Sequence, residues 1–177
     1  MQKFKEKYGV IPNVSDKDFF TNSMHVPVWK KISIADKINI ESQLTGYSSA
    51  GCITYIELEG AATKNLKALE KIVLYAMGKD IPYFAINIPN DQCEDCGFTG
   101  EFNDSCPVCR SKNIKQLRRV TGYLTADYRK SFNLGKQQEV QMRFKHSKIK
   151  SDIPPHKNGG YPGKEAVYVT TQYVENS

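Results

Sequence analysis

Four cysteines in the middle of the chain form two short pairs whose spacing is typical of a metal site. Two residues separate Cys93 from Cys96 and Cys106 from Cys109, and nine residues lie between the pairs. Each pair turns two sulfur atoms to one side of a knuckle, so four thiolates can surround one ion in a tetrahedron. The set leaves no open ligand position, which predicts structural Zn²⁺. An iron–sulfur cluster on the same cysteines is the alternative.

A second feature is a glycine that lies thirteen residues beyond the last of these cysteines. Gly122 stands in the run Arg119–Leu124, within a segment over residues 117–125 that we expect to be extended and to lead into a loop. Most loop glycines supply a positive φ or allow close packing. The glycine alone is therefore weak evidence. Its neighbours in the sequence indicate a role other than forming a turn.

The elements that must position these residues begin with a strand, a helix and a second strand. Residues 52–58 are rich in β-branched and aromatic side chains, and residues 83–88 are a nearly continuous apolar run, so both predict strands. Between them, apolar residues recur at helical spacing over 66–77, with Gly78 as the stop. The order predicts a right-handed βαβ unit with parallel strands.

A single βαβ unit has two open sheet edges and apolar faces that need covering. Residues 1–50, with a short helix predicted from Ser33 to Ile40, are one possible cover. The alternative, which we favour, is that the unit closes a larger sheet or barrel whose other strands lie elsewhere. The chain is thus predicted to be an α/β protein that forms a piece of a bigger assembly.

The second half of the chain is basic. Residues 110–150 contain twelve Lys and Arg against two acidic residues, in a chain whose net charge is +6. Such a segment can meet phosphate, an acidic partner or water alone. Residues 135–149 predict a basic helix, in which His146 is expected to be solvated or to interact with the helix C-terminus. Prolines and glycines after residue 151 predict an irregular tail, in which only residues 166–174 could form a strand.

Composition limits the classes of protein to which the chain can belong. With 177 residues, 40% of them hydrophobic, it is expected to form one domain with at most a small appendage. No apolar stretch is long enough to span a membrane, and the first residues do not resemble a secretory signal. Five cysteines, four of them in pairs, favour a metal site in a reducing compartment, so we expect a cytoplasmic protein.

The chain resembles the C-terminal portion of anaerobic (class III) ribonucleoside-triphosphate reductases over about residues 5–147. Several blocks carry the resemblance in the right order: Tyr8–Pro12, Thr21–Val28, Tyr55–Gly60, Cys93–Gly100, Arg119–Leu124, Phe132–Glu139, Arg143 and His146. It implies that Gly122 is the glycine whose α-hydrogen is removed to store a backbone radical. Glycine suits this role because, without a Cβ, the radical carbon can flatten and delocalise its electron into both neighbouring amides.

The same resemblance implies the cofactors and the architecture. An activase with a 4Fe–4S cluster and S-adenosylmethionine would generate the radical, and the four cysteines would be zinc ligands beside the radical loop. Residues 1–90 would close a ten-stranded α/β barrel, 91–117 would form the zinc ribbon, 118–150 the glycyl radical loop and C-terminal helix, and 151–177 the tail.

Some features depart from the family pattern. Thr121 stands where Cys, Ser or Ala is usual, and Thr125 replaces a glycine. The upstream cysteine that forms the thiyl radical is not in this chain, and Cys52 is predicted to be a buried structural thiol. We therefore expect no turnover by the chain alone. A separate N-terminal reductase polypeptide, the activase and a ribonucleoside triphosphate are its expected partners. A membrane partner is not expected.

Two other functions remain open on the residues. A zinc-ribbon nucleic-acid-binding protein would use the basic segment together with Phe98, Phe102 and Tyr123 as stacking surfaces, although the family resemblance makes nucleic acid an unlikely partner. An inactive gene fragment is the other alternative, which the two threonines and the unfamiliar tail support.

Overall fold

A computed structural model describes residues 1–20, 25–49, 51–59, 65–79, 81–102, 104–120, 122–125, 127–150 and 153. The chain divides into two compact units. The first consists of residues 1–30 and 89–144, and the second consists of residues 31–88 and 145–177. The domain boundaries predicted from the sequence follow chain order, whereas these units are interleaved. None of the described helices is both long and apolar enough to cross a membrane.

The helices and strands alternate irregularly along the chain. In order they are α1 Gln2–Tyr8, α2 Ile34–Thr45, β1 Ile53–Glu57, α3 Leu66–Met77, β2 Tyr83–Asn87, β3 Asn90–Cys93, β4 Thr99–Gly100, β5 Ile114–Val120, β6 Tyr123–Thr125, α4 Tyr128–Ser131, α5 Leu134–Gln141 and a 3₁₀ turn at His146–Lys148.

The second unit contains the predicted βαβ arrangement. Strand β1 pairs in parallel with β2, in a register that runs from Ile53 opposite Tyr83 to Glu57 opposite Asn87. Helix α3 connects the strands. It begins where the side chain of Asn65 accepts a hydrogen bond from the Ala68 N–H, and it ends before Gly78. The prediction of two parallel strands joined by a helix is confirmed.

One core cluster holds this unit together. Ile56, Leu58 and Ile72 are fully buried, and Ile34 and Ile38 of α2 pack in the same cluster. Burying each such side chain contributes about 1.5–3 kcal/mol. Residues before 50 therefore do cover part of the sheet, as one of the two alternatives held. Among the described residues the parallel sheet has two strands, so these residues do not by themselves form a ten-stranded barrel.

A histidine occupies the edge of β1 that faces away from β2. The Leu58 N–H donates to the Asn87 carbonyl at 2.9 Å, so the neighbouring Glu57 N–H points to the opposite edge. There it donates to Nδ1 of His146 at 3.0 Å. His146 is buried, with 2% of its surface exposed. The prediction that His146 is solvated was wrong, because its ring supplies the acceptor that an edge amide would otherwise lack.

The first unit is built on a four-stranded sheet with the order β4-β3-β5-β6, in which all pairings are antiparallel. Strand β3 ends at Cys93, and β5 runs from the cysteine region toward Gly122. The sheet thus joins the two features that the sequence singles out.

The basic helix predicted over 135–149 is shorter than expected. Helix α5 begins after Asn133, whose side chain accepts a hydrogen bond from the Lys136 N–H, and it ends at Gln141. The Phe144 N–H donates instead to the Val28 carbonyl at 2.8 Å, which removes it from any helical ladder. The predicted tail after residue 151, including the possible strand at 166–174, lies outside the described residues apart from Ile153.

Candidate metal centre and glycine hairpin

The four predicted ligands come together in one place. Their sulfur atoms all lie within 4.8 Å of one another, with Sγ of Cys93 3.5 Å from that of Cys109 and Sγ of Cys96 3.6 Å from that of Cys106. Four sulfurs bound to zinc at about 2.3 Å would stand about 3.8 Å apart in a regular tetrahedron. The cluster therefore has the size for one metal ion such as zinc, without the room that the irons and sulfides of a larger cluster need.

Each cysteine pair lies on its own backbone turn, and the two turns are of the same type. The Gly97 N–H donates to the Cys93 carbonyl at 2.9 Å, and the Arg110 N–H donates to the Cys106 carbonyl at 2.9 Å. Both donor residues are left-handed, with φ values of 74° and 59°. The glycine adopts this conformation freely, whereas an arginine does so at a cost of about 1 kcal/mol. Only the first pair has a glycine at this position, so the residue type alone does not indicate that Arg110 makes the same turn after the second pair.

The thiols of Cys106 and Cys109 differ in pKa because their surroundings differ. Burial opposes ionisation of Cys106, but backbone N–H groups of Cys109 and Val108 outweigh it and lower the pKa of that thiol to about 7. For Cys109, the Ser111 N–H favours the thiolate, yet the Cys93 thiol and burial raise its pKa to about 12. Without a cation, the crowded sulfurs cannot all ionise together. A bound divalent ion would stabilise four thiolates at once.

Side chains around the knuckles support the cluster. Cys93 and Cys106 are buried against Phe102, with Ile114 packed beside them. On the outer side, Oδ1 of Asp95 accepts a hydrogen bond from the Asn113 amide at 2.8 Å. This core is very small, as expected for a ribbon whose folding depends on a metal. Because Phe102 is 8% exposed, it cannot offer a free face to a nucleic-acid base.

Gly122 lies at the tip of a tight hairpin. Val120 of β5 pairs with Tyr123 of β6, which leaves two residues for the turn, and Gly122 has a φ of 87°. The turn thus requires a left-handed residue here, so the glycine has a conformational role as well as any chemical one. Gly122 is exposed, as are Tyr123 and Leu124 beside it. Thr121 lies outside the described residues.

Strand β5 connects the cysteine cluster to the hairpin. From Ile114, which packs on the cluster, to Val120, which precedes the turn, β5 spans about 20 Å at roughly 3.3 Å per residue. At the tip, Nζ of Lys136 lies 3.8 Å from the centre of the Tyr123 ring, an interaction that the sequence did not suggest. Strand β6 ends at Thr125.

Cys52 and two glutamates near strand β1 lie in the second unit. Cys52 is buried, and burial together with the charge of Glu41 raises its pKa, so the prediction of a buried thiol is confirmed. Glu57 is also buried and accepts a hydrogen bond from the Asn87 side-chain amide at 2.7 Å. Glu59 lies beyond the end of β1, with its carboxylate 4.0 Å from Nζ of Lys148.

Comparisons with known proteins agree on one family. The family model described as "Anaerobic ribonucleoside-triphosphate reductase" matches residues 1–146. The chain is 40% identical over 148 residues to the anaerobic ribonucleoside-triphosphate reductase of Escherichia coli (strain K12), covering 79% of this chain and 20% of that protein. It is 42% identical over 149 residues to the enzyme of the same name from Haemophilus influenzae, covering 80% and 21%.

A solved structure shares the fold. An anaerobic ribonucleotide reductase superposes with a TM-score of 0.58 at 21% sequence identity, covering 81% of this chain and 22% of that one. The chain thus spans about a fifth of the length of the curated relatives it matches.

Proposed function

Because the chain belongs to the anaerobic ribonucleoside-triphosphate reductase family, an oxidoreductase family, we propose that it carries the glycyl radical of such a reductase. The observation that supports this most is the connection between the metal cluster and Gly122. A closed four-cysteine site and an exposed glycine with a positive φ flank the two ends of strand β5, within the residues that match the family model.

The proposed chemistry uses the backbone of Gly122. Removal of one α-hydrogen leaves an unpaired electron that the adjacent amide nitrogen and carbonyl share, which requires a planar α-carbon. Any Cβ would crowd that planar centre. An activase with a 4Fe–4S cluster and S-adenosylmethionine would abstract the hydrogen. The exposed tip, with Tyr123 63% exposed, leaves this backbone open to a partner.

The four cysteines would hold Zn²⁺ in a structural role. With Cys93, Cys96, Cys106 and Cys109 as its four ligands, a bound zinc ion would have no position left for a substrate. When bound, the ion supplies folding energy to the ribbon from which β5 starts. The chain's own contribution is to hold the hairpin at the end of that ribbon.

The remainder of the active site would come from further polypeptide. In our proposal a separate reductase chain supplies the thiyl cysteine, the other barrel strands and the pocket for a ribonucleoside triphosphate, which is reduced to the deoxyribonucleotide in the complex. The two parallel strands β1 and β2 would join that barrel. Alone, the chain is expected to show no reductase turnover.

Electron paramagnetic resonance tests the radical assignment. The chain is incubated without oxygen with its activase, a reductant and S-adenosylmethionine, and we expect a doublet because one α-hydrogen remains. Chain produced with α-deuterated glycine should give a collapsed line instead. No glycine-dependent signal, under conditions in which the same activase charges a full-length relative, would reject the proposal.

A matched pair of variants locates the radical. Gly122→Ala should abolish the doublet, whereas Gly51→Ala should keep it. Gly51 is a fair control because its φ is 86°, close to the 87° of Gly122, and a Cβ there would meet nothing within 4 Å. Admission of air to the charged chain should also cleave the backbone at residue 122, which mass spectrometry of the two fragments can check.

A further inference from the structure

A buried ion pair lies where the cysteine ribbon meets the glycine hairpin. Arg118 of β5 donates to both carboxylate oxygens of Asp91 of β3, with Nη2 3.1 Å from Oδ2 and Nη1 in hydrogen-bond contact with Oδ1. The Asp91 side chain is fully buried, and that of Arg118 is 11% exposed. Such two-pronged pairs fix direction as well as distance.

The position of the pair in the sheet is informative. Strand β3 pairs with β5 only as far as Leu117, which lies opposite Asn90. From Arg118 onward β5 pairs with β6 alone, beginning with Arg118 opposite Thr125. Arg118 is therefore the first residue of the two-stranded hairpin, at the junction with the wider sheet. A two-stranded hairpin is marginally stable without further support.

Both partners of the ion pair have additional contacts that connect separate parts of the unit. Oδ2 of Asp91 accepts a hydrogen bond from the N–H of Phe102 at 2.9 Å, and Phe102 packs on the cysteine cluster. The guanidinium of Arg118 lies 5.9 Å from the centre of the buried Tyr128 ring, in the helix that follows the hairpin. The Arg118 side chain thus links the ribbon, the start of the hairpin and the helix that follows the hairpin.

From this arrangement we infer that Arg118 is a positioning residue for Gly122, because through Asp91 it fixes the base of the hairpin, where Arg118 lies opposite Thr125, to strand β3 of the metal ribbon. Packing of the buried Val120 side chain anchors the hairpin further along. The effect of Arg118 on radical formation rests on the proposed function. Its effect on the stability of the hairpin does not.

Lysine is a poor replacement here, because a single ammonium cannot form both bonds to the carboxylate and also lie over the ring. In Arg118→Lys we expect amide hydrogen exchange in the hairpin to rise about tenfold. Exchange in β3 and the zinc content should stay unchanged. The control Arg129→Lys alters another arginine 5.9 Å from the same Tyr128 ring, but one whose side chain is 49% exposed and pairs with exposed Asp104. It should leave exchange in the hairpin unaltered.

A second variant protects the test against simple unfolding. Removing one partner of a buried pair leaves an isolated charge, whereas replacing both can be neutral. Asp91→Asn combined with Arg118→Met keeps an acceptor for the Phe102 N–H and fills similar space. This double variant should fold and bind zinc, yet show the same faster exchange in the hairpin.

The radical provides the second measurement. Under the anaerobic conditions above, Arg118→Lys should accumulate its doublet about tenfold more slowly than the wild type, since small misplacement of a reacting atom is costly. Hairpin exchange within twofold of wild type, or exchange that rises equally throughout the unit, would overturn the positioning role. If the wild type forms no doublet, the proposed function fails, while the exchange measurement still decides whether Arg118 holds the hairpin.

Discussion

The buried imidazole of His146 should make the stability of the second unit depend on pH. Burial, with the positive charge of Lys37 as a second cause, lowers the pKa of His146 to about 4. Nδ1 accepts the Glu57 N–H, so the ring is neutral and carries its hydrogen on Nε2. A protonated ring would place a second hydrogen against that N–H and lose the bond.

The size of the effect follows from the two pKa values. The unfolded chain binds this proton near the ordinary histidine pKa of 6.5, and the folded chain binds it near pH 4. Because the folded pKa is depressed, the contribution is fully present above pH 6.5 and is lost as the pH falls toward 4. The loss amounts to about 1.4 kcal/mol at roughly pH 5.5, and to about 3 kcal/mol below both pKa values.

Urea unfolding of the wild type and of His146→Gln, each at about pH 7.5 and pH 5.5, measures this term. Glutamine keeps an acceptor for the Glu57 N–H but does not titrate. The wild type should lose about 1.4 kcal/mol more than the variant between the two pH values. Carboxylates and zinc ligands affect both proteins equally, so their contributions cancel. Equal losses in the two proteins would refute the assignment of a buried, neutral ring.

Two further predictions concern the metal and the core. Cys106→Ser should lower the zinc content from about one ion per chain to a small fraction, and it should make residues 93–114 accessible to protease. The helical ellipticity to which α2 and α3 contribute should persist. Retention of zinc would contradict the four-ligand assignment. Ile72→Ala should destabilise the second unit by about 2–5 kcal/mol in urea, since Ile72 is fully buried, whereas Met77→Ala, at a side chain that is 65% exposed, should change stability by less than about 0.5 kcal/mol.

Local patterns in the sequence determine the parts of the fold that could be predicted. The βαβ arrangement follows from two apolar runs, a helical repeat and a glycine stop, each of which acts over fewer than about fifteen residues. Ser33 caps the start of α2, where its side chain accepts a hydrogen bond from the Asp36 N–H, and Gly78 follows the last residue of α3. The cysteine cluster could be predicted for a similar reason, because its spacing encodes the geometry of its turns.

The contacts that were missed connect residues far apart in the chain. His146 meets Glu57 across 89 positions, and Arg118 meets Asp91 across 27. No local signal distinguishes a histidine that caps a strand edge from one on a solvated helix. Helix α5 was predicted too long for the same reason. The Val28 carbonyl, which accepts a hydrogen bond from the Phe144 N–H, comes close only in the folded chain.

The conformational and the chemical reasons for a glycine at position 122 can be distinguished by the size of the effect of an alanine substitution. Both call for glycine, so the residue type alone cannot distinguish them. A left-handed alanine costs about 1–2 kcal/mol, an energy that a folded unit can absorb and that Gly51→Ala would match. Strain of that size would slow or reduce radical formation, but it would leave a measurable doublet from the folded molecules. Complete loss of the signal in Gly122→Ala, with the signal of Gly51→Ala intact, therefore requires the α-carbon of residue 122 itself to be the radical site.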